Sequence, residues 1–184
     1  MIMLTKEAFR VKNYLIVVDM QNDFIDGALG TKEAVGIVDK VAAKIRDFDG
    51  EVIFTRDTHS AAYLDTQEGR RLPVIHCVQG SEGWQIRQGL LELRPAAIVD
   101  KPTFGSAELG AILCDADRRE GIGSITLVGL CTDICVISNA LLLKAFLPEV
   151  PICVDAACCA GVTPESHATA LRAMKSCQIE IVNE

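Results

Sequence analysis

SITLVGLCTDICV, residues 124–136, is the stretch whose reading decides the fold. Its first half is β-branched and apolar up to Gly129, and Leu130-Cys131-Thr132-Asp133 then turns the chain. Residues 134–147 follow as an apolar segment without Gly or Pro, closed by Pro148. The pattern predicts a buried strand, a tight turn and a helix that starts near Asp133. Cys135 falls in the first turn of that helix, beside amide N–H groups with no intrahelical partner. The positive end of the helix dipole favours a thiolate there, which predicts a nucleophilic cysteine with a lowered pKa. On local sequence the alternative is a buried cysteine acting as a small hydrophobe.

Working outward, residues 14–18 (YLIVV) form a short apolar run ending at Asp19, which reads as a buried strand. After the loop MQNDFIDGALG, Thr31 caps a helix to about Phe48, with Val35, Val38, Ala42 and Ile45 at helical spacing. Asp49-Gly50 turns the chain into a second strand at residues 51–55. Residues 56–88 carry Gly69, Pro73, Gly80 and Gly83 and read as excursion loops, a length that usually signals function. A third strand spans residues 96–99, and Ser106 caps a helix to about Arg119. Beyond the central strand and the cysteine helix, residues 151–154 are a fifth strand. Thr163-Pro164 opens a helix to about Ser176, and residues 178–182 are a last strand. Six strands alternating with helices predict an α/β fold, a doubly wound six-stranded parallel sheet with helices on both faces, as one domain over residues 1–184.

Composition narrows the function. Hydrophobic residues make up 49% and charged residues 23%, which suits a sheet covered on both faces. The 18 basic and 25 acidic residues give a net charge of −7, which argues against nucleic acid or an anionic membrane as partner. No apolar run approaches the roughly 18–20 residues that cross a bilayer. The opening MIMLTKEAFRVKN lacks the features of a signal peptide, so the expected location is cytoplasmic. The eight cysteines are then expected to be reduced, and none forms a CxxC pair.

Asp19, Asp57, Lys101, Cys135 and Asp155 each fall just past, or within one turn of, the C-terminal end of a predicted strand. In open parallel sheets that edge carries the ligand site. An acid, an ammonium and a thiol on one rim can form an activated nucleophile. The bland reading of the same residues is an Asp–Lys salt bridge near a cap.

Three ordered motifs, VDMQNDF, DKPTFGS and GLCTDICV, together with the late DAACCAGVTPESH, resemble the isochorismatase-like cysteine hydrolases, the family that includes nicotinamidase. The resemblance runs from Tyr14 to Val182. It implies Asp19 as general base, Lys101 as third triad member and Cys135 as nucleophile of an amidohydrolase. It further implies a cis peptide at Leu130–Cys131 and an oxyanion hole built from the N–H groups of Cys131 and Cys135. A cysteine at this position favours acyl transfer over vinyl-ether cleavage.

Asp57-Thr58-His59 and the more distant His76 supply one carboxylate and two imidazoles, a ligand set suited to zinc or another transition ion. From spacing alone, two surface histidines in a loop are the readier explanation. Similarity to nicotinamidases, whose metal uses Asp-x-His and a later His before Cys-Val, favours a divalent metal, with zinc first. Asp65, Glu68 or water is the fourth ligand. Where the nicotinamidase pattern has a Trp, this chain has Leu72, with one extra residue before His76. Phe24, Trp84 and Phe104 are the candidates for the missing aromatic wall. His167 is read as structural. The expected partner is a small-molecule amide, and the expected assembly is a homo-oligomer. Two alternatives stand beside this reading. One is a hydrolase of a ureide or carbamate, and the other is a non-catalytic thiol- or metal-binding member of the family.

Overall fold

The computed structural model describes residues 11–93 and 97–184. In chain order the elements are β1 (Lys12–Val18), α1 (Asn22–Ile25), α2 (Lys32–Asp47), β2 (Glu51–Asp57), a 3-10 turn (Tyr63–Asp65), α3 (Gln67–Arg71), α4 (Gln88–Leu91), β3 (Ala97–Lys101) and α5 (Ala107–Glu120). Then come β4 (Ile122–Leu130), a π-helical turn (Thr132–Val136), α6 (Ile137–Phe146), β5 (Ile152–Ala160), α7 (Pro164–Ser176) and β6 (Glu180–Val182). The six strands pair in parallel in the order β3-β2-β1-β4-β5-β6.

Alternation along β1 explains the two-sided core. Tyr14, Ile16 and Val18 face one way and pack with Leu109, Leu113, Ala140 and Leu143. Leu15 and Val17 face the other way and meet Ile37, Val41 and Ile45 of α2. Truncating Ile45, which is fully buried, to Ala would cost about 2–5 kcal/mol and loosen that face first. Thr31, Ser106 and Thr163 each accept a hydrogen bond from the amide three residues on, so the three predicted caps hold. No helix among the described residues is long and apolar enough to cross a membrane.

Strand order reverses between β1 and β4, and the chain leaves both strands abruptly there. Asp19 turns off β1 with φ of +46°, a left-handed conformation that Asp tolerates better than most residues. Gly129 has φ of +114°, and a Cβ on it would stand 2.1 Å from the Val18 carbonyl oxygen. Only glycine lets the two strands meet that closely. The Leu130–Cys131 peptide is cis.

Several element boundaries differ from the sequence reading. The helix does not begin at Asp133: a π turn over Thr132–Val136 precedes α6. The second strand continues to Asp57, and short helices interrupt the expected loops at 56–88. The fifth strand runs to Ala160, not 154, because the register shifts between Leu127 and Gly129 and lets Cys159 pair with Gly129. Asp155 is therefore inside a strand and paired with Lys44 at 2.9 Å, away from the rim. Ala96, the expected start of the third strand, and residues 1–10 of the opening segment lie outside the described residues.

Candidate active site

Three side chains converge at the strand-order reversal. Asp19 arrives from the end of β1, Lys101 from the end of β3 and Cys135 from the π turn after β4. Lys101 Nζ lies 2.7 Å from Asp19 Oδ2 and 3.4 Å from Cys135 Sγ. The same ammonium reaches Asp57 Oδ1 at 3.2 Å and donates to the Thr103 carbonyl at 3.1 Å. The Asp19 and Lys101 side chains are completely buried. Asp19 Oδ1 accepts from Thr55 Oγ1 at 2.7 Å, whereas Oδ2, although close to Lys101, has no donor aligned with it.

Burial sets the proton affinities. It raises the Asp19 carboxyl above its ordinary range, with Lys101 as the chief opposing influence. Burial also raises the Cys135 thiol well above its ordinary value, reinforced by the Asp19 charge and opposed by Lys101. The expectation of a lowered cysteine pKa is therefore corrected. Desolvation of a buried sulfur outweighs the helix end, and Cys135 sits within the π turn, ahead of the start of α6. For Lys101, desolvation works to lower the pKa, but the charges of Asp19, Cys135 and Asp57 win and raise it.

A second cluster adjoins the first. One donor atom each from Asp57, His59, Glu68 and His76 fall within 4.8 Å of one another. Asp57 links the two groups: Oδ1 faces Lys101, while Oδ2 lies 2.9 Å from His59 Nε2 and 3.8 Å from His76 Nε2. Burial works to raise the Asp57 carboxyl, yet His59 and Lys101 hold it below its ordinary value. His76 Nδ1 sits 2.7 Å from the Val74 carbonyl, which leaves Nε2 turned to the cluster. His59 Nε2 is buried without an aligned hydrogen-bond partner. Two imidazoles and two carboxylates with an orphaned nitrogen among them fit a divalent cation. Glu68 is the fourth donor. Asp65 sits exposed on the preceding 3-10 turn and takes no part.

Between the thiol and this cluster lies a cavity of about 230 Å³. Asp57, Glu68 and His76 of the cluster line it together with Cys131 and Cys135, and Phe24, Phe104 and Leu72 are also among its walls. The candidate aromatic wall is thus Phe24 and Phe104. Trp84 is not among the lining residues: its indole donates to Thr58 Oγ1 at 2.8 Å, and the Arg56 guanidinium stacks 3.5 Å from its ring. His167 is placed as expected, its Nδ1 2.8 Å from Thr132 Oγ1, tying α7 to the cysteine turn.

Other members of the site were not singled out in the sequence, although Gln21 lies within VDMQNDF. Gln21, fully buried, accepts from the Asp57 amide at 2.7 Å and donates to the Asp57 and Trp84 carbonyls at 2.8 and 2.9 Å. Thr55 and Asn139 are likewise wholly buried polar side chains. For Thr55 and Asn139, a polar residue inside an otherwise apolar strand or helix is the one trace left in the sequence.

Residues 13–183 match the family model described as the isochorismatase domain. The chain is 31% identical over 173 residues to the isochorismatase family protein PncA of Bacillus subtilis (strain 168), covering 88% of this chain and 93% of that one. It is 26% identical over 183 residues to the nicotinamidase/pyrazinamidase of Mycobacterium tuberculosis, covering 91% and 97% respectively. Among solved structures it is similar to the pyrazinamidase of Pyrococcus horikoshii in complex with zinc, with a TM-score of 0.79 at 31% identity over 94% of this chain and 99% of that one.

Proposed function

The chain belongs to the isochorismatase family, and from that premise we propose that it is a cysteine amidohydrolase. It cleaves the C–N bond of a small amide through a thioester acyl-enzyme, in the manner of the nicotinamidases it resembles. The observation that carries this reading is the contact of one buried ammonium with both Asp19 and Cys135, beside a cavity sized for a small molecule.

Cys135 Sγ attacks the amide carbon, and its proton passes to Asp19 Oδ2, the carboxylate oxygen free of an aligned donor. Lys101 stays charged and steadies the developing thiolate and the carboxylate in turn. The backbone N–H groups of Cys131 and Cys135 face the carbonyl oxygen as it gains charge. When the tetrahedral intermediate collapses, the protonated Asp19 delivers its proton to the leaving nitrogen, which departs as ammonia. Water then attacks the thioester carbon with Asp19 as base, and sulfur leaves and regains a proton. Phe24 and Phe104 bracket the acyl group.

Asp57, His59, Glu68 and His76 would hold a divalent cation, with zinc the first candidate given the zinc complex of the Pyrococcus relative. When bound, such an ion orients a polar atom of the substrate in the cavity. The test is a screen of nicotinamide, pyrazinamide and other small amides with ammonia release as readout. The parent is expected to release ammonia and Cys135→Ala is not; equal release from both would overturn the reading.

A further inference from the structure

Asn139 is wholly buried on α6, one turn beyond Cys135, and its amide bonds to backbone in two separate segments. Nδ2 donates to the Cys135 carbonyl at 2.8 Å and to the Phe104 carbonyl at 3.0 Å, while Oδ1 accepts from the Ser106 amide at 3.0 Å. The surroundings force this orientation. Exchanging N and O would set an oxygen against two carbonyls and an NH₂ against an N–H. Asn is a weak helix former and is costly to bury without partners, so these bonds are what make it tolerable here.

What the bonds join is informative. At one end is the turn that carries Cys135. The other is the loop at 102–106, whose Thr103 carbonyl accepts from Lys101 Nζ and whose Phe104 ring lines the cavity. The loop lies in contact with α6, since a Cβ on Gly105 would stand 3.4 Å from the Ser138 carbonyl oxygen. Among the described side-chain bonds, only those of Asn139 join the backbone of the Cys135 turn to the backbone of the loop at 102–106.

From this juxtaposition we propose that Asn139 is a positioning residue, which sets the 3.4 Å approach of Lys101 Nζ to Cys135 Sγ by fastening the nucleophile's turn to the loop that anchors the lysine. The role rests on the reading of Cys135 as nucleophile. Asn139 is not among the residues lining the cavity and its described bonds go to backbone, so its effect belongs on kcat and not on KM.

The experiment compares the parent with Asn139→Ala, Asn139→Ser and Leu143→Ala, reading kcat, KM and Tm on the best amide of the screen. Asn139→Ala removes the tie and should lower kcat roughly tenfold to a hundredfold, the scale of an ångström-sized misplacement. KM should stay within about threefold of the parent. In Asn139→Ser the hydroxyl can still donate to the Cys135 carbonyl but is too short for Phe104, so Tm recovers and kcat does not. Leu143→Ala, a core change one turn further along α6, should lower Tm while keeping kcat. Should Asn139→Ala fail to fold, Asn139→Ser carries the same comparison. The role is overturned by parental kcat in a folded Asn139 variant, by kcat that tracks Tm across all three, or by a rise in KM alone. A parent whose ammonia release survives Cys135→Ala overturns the nucleophile reading itself, and is told apart by that variant.

Discussion

Replacing Lys101 with Met removes the one charge on which the site converges. The ammonium lies 2.7 Å from Asp19 Oδ2, 3.2 Å from Asp57 Oδ1 and 3.4 Å from Cys135 Sγ, and Met keeps much of the stem's volume. Two carboxylates with side-chain exposures of 0% and 4% then lose their cation. Removing one partner of a buried pair costs about 3–5 kcal/mol. In a chain of this size each kcal/mol moves Tm by about 2–4 °C, so at pH 8 the loss should be roughly 6–20 °C.

The loss should also depend on pH, and its sign follows from Asp19. Burial already raises that carboxyl, with Lys101 as the chief opposing influence, so removing the lysine raises it further. A carboxyl raised on folding contributes stability below its unfolded pKa and loses it as pH climbs through the folded one. The deficit of Lys101→Met should therefore shrink between pH 8 and pH 5 as Asp19 takes up a proton, by at most about 1.4 kcal/mol per pH unit. Asp57 loses Lys101 as well, one of the two groups that hold it below its ordinary value, so its carboxyl also rises in the variant and adds to the same trend, with His59 still opposing. Ammonia release should fall by a factor on the order of 10² or more, the scale of a positioned catalytic group. Melting curves at both pH values, run beside the activity assay, decide the matter. Parental Tm at pH 5 and pH 8 together with a parental rate would make Lys101 an ordinary salt-bridge partner and refute the triad.

Three further outcomes follow from the same geometry. Cys135→Ala and Cys135→Ser should abolish hydrolysis while Cys131→Ala keeps a measurable share, because Cys131 contributes its backbone; inactivity of all three would show that the Cys131 side chain is needed. Purified protein should bind roughly one equivalent of zinc and His76→Ala should lose it, as read by elemental analysis; no binding after incubation with zinc would leave Asp57, His59, Glu68 and His76 as a hydrogen-bonded cluster only. Asp19→Asn should abolish ammonia release yet speed alkylation of Cys135 by iodoacetamide at pH 8, since the carboxylate charge helps hold the thiol pKa up and Lys101 remains to pull it down. Slower alkylation in that variant would contradict the electrostatic account.

Much of this was legible in the sequence because it rests on short-range chemistry. Apolar runs such as YLIVV mark strands buried on both faces, and Thr31, Ser106 and Thr163 mark helix starts, since both signals arise within a few residues. Asp19, Lys101 and Cys135 were found from their place at strand ends together with motif order. What stayed hidden depends on contacts distant in sequence. The continuation of β5 through Cys159 needs its partner Gly129 and a register shift on β4. The choice of Glu68 over Asp65 depends on which side α3 presents to His59, and Trp84 was drawn off by Arg56 and Thr58. The raised thiol was missed because burial is a property of the whole fold, while the helix end that argued for a lowered pKa is a local one.

That raised thiol bears on how the site works. A cysteine stored as thiolate needs only an electropositive setting, but burial and the neighbouring Asp19 charge raise the Cys135 thiol and favour its protonated form. In the proposed reaction the nucleophile is therefore made at the moment of attack, when substrate charge begins to form and Asp19 can take the proton. The same burial that keeps the proton on sulfur raises Asp19 above its ordinary range. A carboxyl so placed holds the transferred proton long enough to hand it to the leaving nitrogen, which an ordinary surface aspartate would surrender to water. Thr55 occupies Oδ1, which leaves Oδ2, beside Lys101, as the oxygen for this transfer. Lys101 then serves chiefly to keep the pair from becoming neutral and inert, which is why its loss should slow the rate and steepen the pH dependence of stability together.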